Sequence, residues 1–208
     1  MKFVQIFTNE RFAKRAARFM ECICYFTTCF FIFCTVLSFM GRQTFSLYTN
    51  TGRYENAIYA EEDHDPPSRG ITVHTSDSIH VWVNDGNQID LSIRIGISLI
   101  YAVSTVPMIF AFLFLARVFS NIQKEQIFTD QNSRYLLYYG LLQLSVSVFS
   151  PFIKLLLCWI VNQVSDCRID ISTGQNMFNS LVPSIAFIVA AYIIHYGVYL
   201  QDEVDHTL

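Results

Sequence analysis

Four long apolar runs constrain this chain more than any other feature. They cover residues 18–40, 93–119, 135–161 and 178–200, each bounded by polar or turn-forming sequence. About 20 mainly apolar residues in a helix span the hydrocarbon core of a bilayer, where every backbone polar group must be satisfied within the segment. The sequence therefore predicts an all-α polytopic membrane protein with four transmembrane helices. Composition agrees, since 52% of the residues are hydrophobic and 15% charged, more apolar material than a soluble domain of 208 residues can bury. The first run follows Lys14, Arg15 and Arg18, as a signal peptide would, but its apolar core is too long and lacks a small-x-small cleavage site. It is expected to remain as an anchor.

Orientation follows from the distribution of Lys and Arg beside the spans. Lys2, Arg11, Lys14, Arg15 and Arg18 precede the first span, and Arg117, Lys124 and Arg134 lie around the connection between the second and third. The longer segment 41–92 has Arg42, Arg53 and Arg69 against eight acidic residues. Segments 1–17, 120–134 and 201–208 are thus expected in the cytoplasm, and 41–92 and 162–177 outside.

Within 41–92, residues 78–84 (SIHVWVN) and 88–94 (QIDLSIR) alternate about Asp85-Gly86-Asn87, a hairpin pattern. A three-residue loop keeps Ile79, Val81, Val83, Ile89, Leu91 and Ile93 on one face. A small extracytoplasmic β-hairpin insertion between helices 1 and 2 is expected, with residues 44–49 and 70–76 as further strands. The acidic run at 61–65, with His74 or His80 beside it, lacks any fixed ligand spacing and reads as a solvated loop rather than a metal site.

Lys154 falls inside the third run. It lies 19 residues past Tyr135, roughly 28 Å along a helix, so it is expected to snorkel to the outer interface as an interfacial lysine. The alternative is a place on an ion path with Ser98, Ser104 and Ser147, near the span prolines Pro107, Pro151 and Pro183. His195 near the inner end of the fourth run reads as a satisfied interfacial histidine, with Glu21 a candidate structural pair or pH-sensitive contact. Of six cysteines, only Cys167 reads as exposed, with Cys34 a conceivable partner. No phosphate loop, nucleophile elbow or paired acids in an apolar pocket occur, so no enzyme and no cofactor are expected. A net charge of −3 gives no basic excess for nucleic acid.

Two segments resemble a known family. Residues 121–140, NIQKEQIFTDQNSRYLLYYG, and 191–208, AYIIHYGVYLQDEVDHTL, are similar to the bacterial membrane family called domain of unknown function 2975. The matching positions are Phe128, Thr129, Asn132 and Gly140, then Gly197, Leu200, Gln201, Glu203, Asp205 and Thr207. Val204 and His206 depart from the usual Asn and Leu. The resemblance implies a bacterial cytoplasmic membrane location and four spans with a long first outer loop. It implies no activity, but suggests a small helix-turn-helix regulator as a partner. Independently of it, Thr129 is a suitable helix N-cap. Lys124, Phe128, Thr129, Asn132, Gln201, Glu203 and Asp205 form the expected cytoplasmic docking surface for a protein partner. The functional expectation is a non-enzymatic protein that works through contacts, as a regulatory partner or an immunity-type protein. The alternative is a subunit of a small transporter or channel.

Overall fold

The computed structural model describes residues 10–50, 52–59, 71–75, 77–83, 89–172 and 177–207. Among these residues are four long helices, α1 (Glu10–Phe39), α2 (Leu91–Gln123), α3 (Asp130–Val164) and α4 (Met177–Thr207). All four are long and apolar enough to cross a membrane. Four strands accompany them: β1 (Thr44–Thr49), β2 (Gly52–Ile58), β3 (Ser78–Trp82) and β4 (Arg168–Ser172). The chain divides into two compact units. One comprises residues 1–30, 107–145 and 178–208, and the other 31–106 and 146–177.

The second unit holds the sheet, in the order β2-β1-β3-β4. β1 and β2 form an antiparallel hairpin with a register shift between Phe45 and Leu47, and Asn56 opposite has a positive φ of 62°. β3 lies parallel to β1 and antiparallel to β4. Alternation puts Phe45, Leu47, Ile79, Val81, Ile169 and Ile171 on one face, where they pack with Ile93, Ile97, Ile100, Cys158 and Val161 of the helices. Gly96 permits close approach there, because a Cβ would lie 2.7 Å from a methyl of Val161.

This sheet corrects the expected hairpin. Residues 84–88 lie outside the described residues, but the second proposed strand belongs to α2, which begins at Leu91. The amides of Ile93 and Arg94 both donate to the Asp90 carbonyl, opening a helix. Ile93, Ile97 and Ile100 are buried at helical spacing, whereas Leu91, which a strand would bury, is 59% exposed. The fourth strand instead comes from the segment between α3 and α4. Residues 44–49 form a strand as expected, whereas the described part of the 70–76 segment, residues 71–75, contributes an isolated bridge between Gln43 and Val73.

The first unit is helical. Its core joins Cys24 of α1, Ala111, Leu115, Ala116 and Val118 of α2, Leu136 and Tyr139 of α3 and Ala191 of α4. Tyr139 meets Phe187 edge to face with ring centroids 4.6 Å apart. Gly140 sets the approach of α3 to α4, since a Cβ would lie 2.8 Å from Ile188 and 3.1 Å from the Ser184 carbonyl oxygen. Ser133 donates to the Ala191 carbonyl at 2.8 Å, adding a hydrogen bond between the same two helices.

Candidate functional site

The connection between α2 and α3 is a short, heavily bonded turn. Gln126 N donates to Asn121 O and Glu125 N to Ile122 O, the paired bonds of a Schellman cap, with Glu125 in the left-handed region at φ 65°. α3 then starts with Thr129, whose hydroxyl accepts from Asn132 N at 3.3 Å as an N-cap. Asn132 is 1% exposed. Its amide nitrogen donates to the carbonyls of Gln126 and Ile127, and its oxygen accepts from Asn121 Nδ2 at 2.8 Å. One buried side chain thereby fixes both ends of the turn.

This geometry divides the expected docking residues into two kinds. Thr129 and Asn132 build the turn, and Asn132 is too buried to meet a partner. Phe128 is half exposed and lies over Gly197 of α4, where an added Cβ would sit 3.0 Å from the ring. Lys124, Glu125, Gln126 and Ile127 are exposed. Glu203 is exposed in the last turns of α4; Gln201 and Asp205 lie in the same helix, and their side chains are outside those described. Lys14 of α1 pairs with Glu125 and holds that carboxyl below its usual value, mainly through the hydrogen bond and then through its charge.

The candidate Glu21–His195 pair does not form. Glu21 accepts from Gln123 Nε2, while His195 Nδ1 lies 3.1 Å from Asp130 Oδ1. Asp130 opens α3 four residues before Arg134, and α3 and α4 are tied together by the Ser133 bond, so His195 meets the nearer acid. Between these two helices is a groove of about 330 Å³. Asp130, Arg134 and His195 line one end, and Leu137, Ile188, Ala191 and Tyr192 continue it.

In the other unit Lys154 is paired inside the protein instead of reaching solvent by snorkelling. It is 5% exposed, and its Nζ is 2.6 Å from Asp77 Oδ2, the two side chains being 6% and 8% exposed. A buried ammonium needs a paired acceptor, and Asp77, immediately before β3, supplies one without the lysine reaching water. Ser98 and Ser104 of the postulated path, and the span hydroxyl of Thr105 beside them, have protein partners. Ser98 donates to the Ser38 carbonyl at 2.9 Å, Ser104 pairs with Ser150 at 2.9 Å, and Thr105 bonds the Tyr101 carbonyl and Thr35.

Cys167, expected to be exposed, is 3% exposed, and burial pushes its thiol above the ordinary value. It and Cys34 are both thiols, not joined as a disulfide. The acidic run 61–65 lies outside the described residues. Of the histidines read beside it, His74 contacts Thr44 through Nδ1 at 3.1 Å, and His80 packs among Tyr48 and Trp82, whose rings stack 5.1 Å apart.

Sequence reasoning recognised Thr129 as a cap but missed the central role of Asn132. The signal was its place three residues after the cap, on the inward side of a first helical turn. The groove had no sequence signal, because it depends on how two distant helices meet.

A family model described as a protein of unknown function, DUF2975, matches residues 68–208. No curated protein and no solved structure matches the chain.

Proposed function

We propose, since the chain belongs to the DUF2975 family, that it is a multi-pass membrane protein acting through contact with another protein rather than by catalysis or transport. The observation that carries this reading is the Asn132-held turn, which offers Lys124, Gln126 and Ile127 to solvent on a fixed backbone. A connection serving only to join two helices has no need of a buried amide with three hydrogen bonds. A docking element does, because a preordered loop loses less conformational entropy on binding.

A transport path is disfavoured by the span hydroxyls. Ser98 bonds backbone, Ser104 and Ser150 satisfy one another, and Lys154 is neutralised by Asp77. In this reading the turn and both termini face the cytoplasm of a bacterial cell and the sheet lies outside, which the balance of Lys and Arg beside the spans supports. A cytoplasmic regulator of the helix-turn-helix type, or a toxin component entering the membrane, would meet the turn there.

The test is a photoreactive amino acid placed at position 127 in cells, with position 153 on an exposed stretch of α3 as the control. A discrete protein adduct is expected at 127 and lipid adducts at 153. Single cysteines at 124 and 53 report the side of the membrane: an impermeant maleimide should label 53 in intact cells and spare 124. Lipid adducts alone at 127, or labelling of 124 from outside, would defeat the reading.

A further inference from the structure

We infer that the groove between α3 and α4 is a binding site for one anionic phospholipid. The polarity of the groove runs lengthwise. Because the two helices pack in opposite directions there, Asp130 and Arg134 of α3 lie at the same end as His195 of α4, while Leu137 and Ile188 lie further along. From Asp130 to Leu137 is roughly 10 Å of helix rise. Beyond Leu137 the helices pinch together at Gly140, where no Cβ fits against Ile188 and Ser184. The groove thus has a charged mouth, an aliphatic interior and a closed far end.

Charge selects the occupant. His195 occupies Asp130 Oδ1, whereas Arg134 is exposed and has no hydrogen-bond or ion-pair partner among the described residues, so its guanidinium donors stand open at the mouth. A guanidinium matches phosphate geometry with two parallel donors, and basic pockets between membrane helices on the cytoplasmic side suit anionic head groups. Free phosphate would satisfy Arg134 but leave the Leu137, Ile188 and Ala191 surface unused. A lipid supplies both parts, phosphate on Arg134 and an acyl chain along the aliphatic walls, with Tyr192 beside them at the level where amphipathic rings favour the interface.

This inference rests on the membrane-spanning reading above but not on a protein partner, so a missing adduct at position 127 leaves it intact. The full chain is reconstituted in nanodiscs of phosphatidylcholine with increasing phosphatidylglycerol, and its thermal unfolding midpoint is followed. The midpoint should rise and saturate with phosphatidylglycerol. Arg134→Gln should raise the half-saturating fraction about tenfold, the expected effect of one lost charge-assisted contact. Arg134→Lys should retain most of the response, and Leu137→Trp should abolish it by filling the groove while the arginine remains. A photoreactive phosphatidylglycerol should crosslink to α3 or α4 peptides bordering the groove. Equal responses from the native chain and Arg134→Gln would overturn the assignment. So would reproduction of the shift by inorganic phosphate in pure phosphatidylcholine discs, or adducts confined to α1 or α2.

Discussion

The sheet-bearing unit and the helical unit solve the problem of a largely apolar chain in different ways. In the first, aliphatic side chains from the sheet and helices form a continuous core, and the costliest group, Lys154, is neutralised by a residue from outside its own helix. In the second, small residues and aromatic edges bring helices together, and polar side chains bond backbone: Ser133 to Ala191, Thr28 to Cys24, Asn132 to the preceding turn. Lipid tails are as apolar as leucine, so association of spans depends on packing and hydrogen bonds more than on hydrophobic burial. Beside hydroxyl bonds such as those of Ser98 and Ser104, the sheet unit concentrates buried charge in the Lys154–Asp77 pair. The helical unit spreads its polar contacts over many weaker ones, and residues 124–128 of its turn are exposed.

The largest expected effect follows from that concentration. Lys154→Leu strands the Asp77 carboxylate among buried groups and should destabilise the protein by about 3–5 kcal/mol. Replacing both partners, Lys154→Leu with Asp77→Leu, removes the uncompensated charge and should recover most of the loss. Denaturation of both variants in detergent checks this. Equal losses in the single and double variants would mean that the pair contributes little and that the side-chain volume of Lys154 matters instead.

The same contrast explains what could be read in the sequence. The four helices were legible because twenty-residue apolar runs are local signals, and Thr44–Thr49 was legible as a strand from its own composition. A small sheet between the first two spans was legible, but its strand order was not, because the pairings of β3 with β1 and with β4 are non-local. β4 joins β3 from the far side of two long helices, although Ile169 and Ile171 alternate with Arg168 and Asp170 in a pattern that was available to read. β2 is polar and has no comparable alternation. At 89–93 a run of Ile, Leu and Ile fits a strand or the first turn of a helix, and only burial of Ile97 and Ile100 decides between them. Lys154 could be placed along its helix by counting, but its partner lies 77 residues away in the chain. In the helical unit the family motif drew attention to Phe128, Thr129 and Asn132, yet the division into builders and presented residues depended on burial.

A medium effect is expected where the helical unit comes nearest to concentrating its polar contacts. Asn132→Ala leaves two turn carbonyls and the Asn121 amide without their partner, at a cost of about 2 kcal/mol. Loss should be local as well as global, so hydrogen exchange of amides 122–128 should accelerate more than that of the α3 interior. Uniform acceleration would mean that Asn132 stabilises the bundle rather than the turn.

The smallest effect compares two helix ends, one in each unit. α1 closes with Gly41 at φ 81°, its amide bonded to Ser38 O and the next amide to Leu37 O. α2 closes with the same bond pattern, but the residue at the left-handed position is Glu125, which carries a Cβ where glycine carries none. Its compensation is the pair with Lys14, a contact in open solvent that salt screens. Since Lys14 lowers the Glu125 carboxyl, the contribution of the pair is present above the ordinary carboxylate range and disappears as pH falls through the lowered value. Glu125→Gln removes the charge and keeps the backbone strain, so it should lower the unfolding midpoint slightly at pH 7 and not at pH 3. Glu125→Gly removes both, and relief of the left-handed conformation should raise the midpoint despite the lost pair. If the glycine variant unfolds earlier than the glutamine variant at low salt, the ion pair outweighs the backbone, and the α2 cap is maintained by charge rather than by geometry.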